Sequence, residues 1–132
     1  MRIINRAIDA NRDKEKCNKR ARDFRGTERG AIYTSFSAAK SRARKENLPF
    51  DIDLEYTREL WDEQEGKCAL TGKPFVIKGG WLAPSLDKID PEKGYIRGNI
   101  QWLTQRLNLL KSNMTNEELL TICKLIINSL EK

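Results

Sequence analysis

The chain has 132 residues, the size of one domain, with 39% hydrophobic and 33% charged residues, which is polar for a globular protein yet not disordered. Its apolar runs fall short of a bilayer span, and the start of the chain (Met1 to Arg6) carries arginines with no apolar segment behind them. Neither a transmembrane helix nor a secretory signal is therefore expected. Cys17, Cys68 and Cys123 are scattered and odd in number, which fits a reducing, cytoplasmic setting better than a disulfide framework. Histidine is absent, and with it the usual general base and the commonest metal ligand.

In chain order, Ala7 to Phe24 reads as a basic, peripheral helix broken at Arg25-Gly26. Thr27 can cap a second helix running to about Asn47, in which Ile32, Phe36, Ala39 and Ala43 recur at helical spacing. Leu48-Pro49-Phe50 ends it, because a residue before proline avoids the helical region. Asp53 caps a third helix over Leu54 to Glu65, with Tyr56, Leu60 and Trp61 available for a core and Gly66 as its stop. Cys68 to Phe75 reads as a turn between extended pieces, and Gly79-Gly80 as a further break. Leu86 to Ile89 and Ile100 to Leu103 are expected as short strands around a Pro- and Gly-containing loop, followed by a short helix over Thr104 to Lys111. Thr115-Asn116-Glu117-Glu118 is a capping box for a last helix. Its face of Leu119, Ile122, Cys123, Ile126, Ile127 and Leu130 is expected to be core, and Trp61, Trp81 and Trp102 are expected in core or interface.

Charge divides the chain. Residues 1–48 hold 14 Lys/Arg against 6 Asp/Glu, while residues 49–132 hold 11 against 13. A local excess of this kind is the electrostatic footprint of a phosphate backbone, although a pair of solvated helices with basic outer faces would carry the same charge. An anionic membrane surface fits less well, since the basic segment lacks a strong apolar face. The organisation expected is one compact domain with a basic helical region at 1–48 and a core region with flanking helices at 49–132. Arg20, Arg22, Arg25, Lys40, Arg42, Arg44, Lys45 and Lys111 are the candidate nucleic-acid contacts.

The stretch Leu86-Asp87-Lys88-Ile89, loop, Gly98-Asn99-Ile100-Gln101-Trp102-Leu103, helix, Asn108-Leu109-Leu110-Lys111 is strand, loop, strand and helix with a polar residue on each element. Such a unit can aim an Asp and an Asn at one point, where a hard divalent cation accepts their oxygens. Pro84-Ser85-Leu86-Asp87-Lys88-Ile89-Asp90, Gly94-Tyr95-Ile96-Arg97-Gly98-Asn99 and Asn108-Leu109-Leu110-Lys111 resemble in order and spacing the HNH nucleases, the ββα-metal superfamily, and more narrowly their small phage-type members. The runs Ala39 to Arg44, Leu48 to Asp51 and Cys68 to Gly72 extend the resemblance over roughly residues 30–115.

The resemblance implies an α+β fold, a ββα-metal hairpin-plus-helix core embedded in surrounding helices and mostly helical. It implies a divalent-metal-dependent DNA endonuclease or nickase using magnesium or manganese, without structural zinc, on DNA that is expected to be double-stranded. Asp87 and Asn108 would be metal ligands, Asn99 would brace the loop, and Lys88 stands where the family carries its histidine base. A lysine could act there after losing its proton, or could stabilise phosphate charge while metal-bound water or Tyr95 helps make the nucleophile. Read alone, Asp87 could equally cap a turn and Lys111 could be a solvated charge. Two other classes stay open: a nucleic-acid-binding or regulatory protein on a retired nuclease scaffold, and a protein-interaction module such as an inhibitor of a host enzyme.

Overall fold

The computed structural model describes residues 2–132, with side chains described from Ile8 onward. The fold is mostly helical α+β. Helix α1 (Arg2–Arg25) is followed by α2 (Glu28–Glu46), β1 (Phe50–Asp51), α3 (Leu54–Glu63) and a 3-10 turn at Gly80–Leu82. Then come β2 (Pro84–Lys88), β3 (Tyr95–Ile96), β4 (Ile100–Thr104), α4 (Gln105–Lys111) and α5 (Asn116–Leu130). No helix of the described residues is long and apolar enough to cross a membrane.

The expected caps form. Thr27 accepts from the Gly30 amide at 3.1 Å, and Asp53 from the Tyr56 amide at 2.8 Å, each satisfying an orphan donor of a first helical turn. Asn47 closes α2 in the left-handed conformation (φ 54°), which asparagine tolerates better than most residues. The α1–α2 corner is tight: a β-carbon on Gly30 would lie 1.7 Å from the Phe24 carbonyl oxygen, so only glycine fits there.

Strands β2 and β4 pair antiparallel, with Leu86 opposite Trp102, Asp87 opposite Gln101 and Lys88 opposite Ile100. One core gathers Ile32, Ala39 and Ala43 of α2 with Trp61 of α3, Leu86, Tyr95, Ile100 and Trp102. The small Ala39 and Ala43 let α2 lie close on β2. Because α2 supplies part of that core, the charge boundary at residue 48 is not a boundary of packing. Gln64 takes the place of a neighbouring strand at β4: its Oε1 accepts from the Trp102 amide at 2.9 Å and its Nε2 donates to the Trp102 carbonyl at 3.0 Å.

Three expectations change. A second, parallel pair joins β1 to β3 with Phe50 opposite Tyr95, in residues that read as a helix end and a loop. Two-residue strands leave no periodic signal to read. Trp81 is half-exposed, with the Arg106 guanidinium 5.1 Å from its ring centre, whereas Trp61 and Trp102 are core. The face of α5 is not core either. Leu119 is buried, but Ile122, Ile126, Ile127 and Leu130 are exposed and Cys123 is half-buried. Amphipathic spacing specifies that a face exists, and it does not specify what covers it.

Gly94 holds the β1–β3 junction with φ 76°, and a β-carbon there would sit 2.7 Å from the Pro49 carbonyl oxygen. That oxygen accepts the Tyr95 amide at 2.9 Å. Gly94→Ala is expected to lower unfolding free energy by roughly 2 kcal/mol or more, from backbone strain plus the clash. Urea denaturation of the two proteins measures it, and an unchanged midpoint would contradict the packing described.

Candidate active site

A cleft of about 320 Å³ opens between the end of α2, strand β2 and helix α4. Asp87, Lys88 and Asn108 line it together, with Ser85 beside them and Arg42 and Glu46 on the α2 side.

Asp87 is buried, and both of its side-chain contacts fall on one oxygen. Its Oδ2 lies 2.9 Å from Lys111 Nζ and accepts from Gln101 Nε2 at 2.9 Å. Among the described residues every buried side-chain nitrogen and oxygen has a partner, so the unbonded Oδ1 is the atom through which Asp87 meets the cleft. Burial pushes the Asp87 carboxyl above its ordinary range, and the hydrogen bonds from Gln101 and Lys111 with the charge of Lys111 and Lys88 only partly oppose it.

Asn108 sits on α4 one turn before Lys111. Its Nδ2 donates to Ser85 Oγ at 2.8 Å and to the Leu86 carbonyl at 3.1 Å. A carbonyl only accepts, so the amide nitrogen must face β2 and the amide oxygen is left for the cleft.

Lys88 is engaged. Its Nζ is 3.0 Å from Glu46 Oε2 and 5.4 Å from the centre of the Tyr95 ring. Arg42 approaches the same ring, donating from Nε to the Tyr95 hydroxyl at 3.2 Å and from Nη2 to the Leu86 carbonyl at 3.1 Å. Tyr95 is thus buried between two cations, and its hydroxyl already accepts a hydrogen bond.

Asn99 does not line the cleft. It closes the loop behind it: Oδ1 accepts from the Asp90 amide at 2.9 Å, and Nδ2 donates to the carbonyls of Asp90 (2.9 Å) and Gly94 (2.7 Å). These bonds tie Asp90 to Gly94, the residue before Tyr95.

The basic residues scatter. Arg42 is in the cleft, and Arg25 borders an adjoining groove of about 210 Å³ that shares Arg42, Ser85 and Gln105 with it. Lys40 and Arg44 border a separate hollow beside Phe50, while Arg20, Arg22 and Lys45 are exposed on their helices. Lys111 is a correction: it is fully buried, with Nζ on Asp87, on the Lys88 carbonyl at 2.8 Å and on the Ile89 carbonyl at 3.4 Å. Its three donors are all used inside the protein, so it has none for a phosphate.

Two residues that bear on the cleft, Gln101 behind it and Glu46 on its wall, escape sequence reading. Gln101 holds Asp87 and also bonds Asn116 at the start of α5, Nε2 to Oδ1 at 2.9 Å. Its signal was available, since a polar residue on an apolar strand opposite Asp87 has to satisfy something. Glu46 carries no local signal, because it reaches Lys88 across 42 positions of chain.

For a cation, the donor set is one carboxylate oxygen and one amide oxygen. Among the described residues no three His, Cys, Asp or Glu side chains converge to hold a metal ion, here or elsewhere. Two hard oxygens fit magnesium or manganese, which keep several waters and take a substrate phosphate as a further ligand.

No family model and no solved structure matches the chain. Among curated proteins it is 32% identical over 83 residues to an uncharacterized 29.0 kDa protein in the dda-modA intergenic region of Enterobacteria phage T4. The match covers 61% of this chain and 32% of that protein, so the chain spans about a third of its relative's length.

Lys111→Met would strand a buried carboxylate, and a cost of about 3–5 kcal/mol is expected at neutral pH. The unpaired Asp87 would then have a folded-state pKa further above its unfolded value. The variant's deficit should therefore be small in acid and grow as pH rises through that folded pKa. Denaturant titrations across pH check this, and the double variant Asp87→Leu/Lys111→Met should recover much of the loss.

Proposed function

We propose that the chain is a divalent-metal-dependent phosphodiesterase of the HNH type, an endonuclease or nickase acting on DNA with magnesium or manganese. The observation that carries the reading is that Asp87, from the first strand of the hairpin, and Asn108, from the following helix, line one cleft, while the contacts that hold them in place fall on Asp87 Oδ2 and Asn108 Nδ2. The basic groove that runs from this cleft past Arg42 to Arg25 suits a nucleic-acid backbone.

Asp87 and Asn108 hold the cation in this reading. When bound, it neutralises charge on the phosphate and at the leaving oxygen. Arg42 and Lys88 present positive charge to the non-bridging oxygens, and the ion pair with Glu46 holds the Lys88 side chain at the cleft. Glu46 is then the carboxylate of the cleft left to accept a proton. As a water oxygen attacks phosphorus, its proton passes to Glu46, the P–O bond to the leaving sugar oxygen breaks, and that oxygen is protonated from solvent.

A binding protein without cleavage is the second reading, favoured by the commitment of Lys88 to Glu46. Supercoiled plasmid with magnesium or manganese separates the two. Wild type should convert it to open-circle or linear DNA, Asn108→Ala should need more metal for the same rate, and Glu46→Gln should be slower by about 10²–10⁴-fold with gel-shift affinity retained. Asp87 substitutions are less informative, since they also strand Lys111. Salt-sensitive retention of DNA with no cleavage under either metal would establish the second reading instead.

Acid adds an independent check. Protons compete with the cation for Asp87, whose pKa is raised, so the metal concentration for half-maximal cleavage should climb as pH falls. The climb should begin above the ordinary aspartate value of about 3.9. An unchanged metal requirement on acidification would count against Asp87 as a ligand.

A further inference from the structure

We propose that the exposed face of α5 is a homodimer surface, packed antiparallel against the same face of a second copy of this chain. Among the described residues, α5 is tied down by the buried Leu119 and the Asn116–Gln101 hydrogen bonds, and no other element packs extensively against it. Leu120, Ile122, Ile126, Ile127 and Leu130 are 42–80% exposed. A 15-residue helix is marginal in water by itself, so this length of apolar helix gains most of its stability from a partner.

The partner is argued from pattern, area and charge. Of the apolar positions left uncovered or half-covered, 122, 123, 126 and 127 are symmetric about a point between residues 124 and 125. An antiparallel copy therefore sets Ile122 against Ile127 and Cys123 against Ile126, along one continuous apolar seam. That is the self-complementarity an isologous two-fold contact demands. From the exposed fractions, the face offers on the order of 500 Å² per chain, or about 1,000 Å² for the pair, which reaches the lower bound of a specific interface. No charged residue lies within the face, which gives a nucleic acid nothing to bind. Residues 115–132 hold two basic and three acidic side chains, so two copies can meet here away from the basic excess of residues 1–48.

Light scattering on the eluting full chain tests it at up to about 100 μM, a range that fills any dimer of micromolar affinity. Wild type should run at about 31 kDa, twice the 15.3 kDa chain mass. Ile122→Glu/Ile126→Glu should run at 15.3 kDa with far-UV circular dichroism that still shows α1 to α4, and Leu125→Glu, which lies off the face, should stay dimeric. If the double variant does not fold, Leu130→Glu at the exposed end of α5 carries the same test through a weakened dimer. A wild type that stays at 15.3 kDa overturns the proposal and points to a different partner. Dimers unaffected by the face variants also overturn it.

Discussion

The buried pair between Asp87 and Lys111 is the constraint around which the site is arranged. Lys111 closes α4 and spends its three protons on the Asp87 carboxylate and the carbonyls of Lys88 and Ile89, the last turn of chain leaving β2. A buried ammonium tolerates no unsatisfied donor, so these contacts fix the distance and rotation of α4 relative to β2. Asn108, one helical turn earlier, is thereby set over Ser85 and Leu86 with its amide in one orientation. The same lysine neutralises Asp87 without using both of its oxygens. A residue that reads as a surface charge is thus the internal tie that holds strand and helix in register.

Around that tie the fold repeatedly uses side chains where backbone is short of partners. Asn99 closes the loop between β2 and β4 with three hydrogen bonds, and Gln64 stands in for a missing strand beside Trp102. The two-stranded sheets are too small to be stable alone, so helices α2 and α3 supply their cover. The closeness of α2 to β2, allowed by Ala39 and Ala43, is also what brings Arg42 and Glu46 to the cleft. Core packing and cleft composition therefore follow from the same two small residues.

The Asn116–Gln101–Asp87 chain of hydrogen bonds connects the first residue of α5 to the cleft carboxylate. Whatever orders α5 also orders Gln101, and through it the orientation of Asp87. The geometry of the cleft and the apolar surface of α5 are in this way adjacent problems in one small protein, joined through a single buried amide.

The helices, their caps and the β2–β4 hairpin with α4 were legible in the sequence, because capping residues and helical or alternating periodicity act over neighbouring positions. Asp87, Lys88 and Asn108 could be assigned to one unit for the same reason: strand, loop, strand and helix are contiguous. Tertiary structure alone decided that Lys111 is buried beneath Asp87, that Glu46 meets Lys88, that β1 pairs with β3, and that the apolar face of α5 lies open. Each of these is set by the mutual placement of distant segments, where a charge becomes a buried partner or a surface group according to what packs against it. Local pattern specifies which side of an element is apolar or charged, and only the folded chain determines what that side meets.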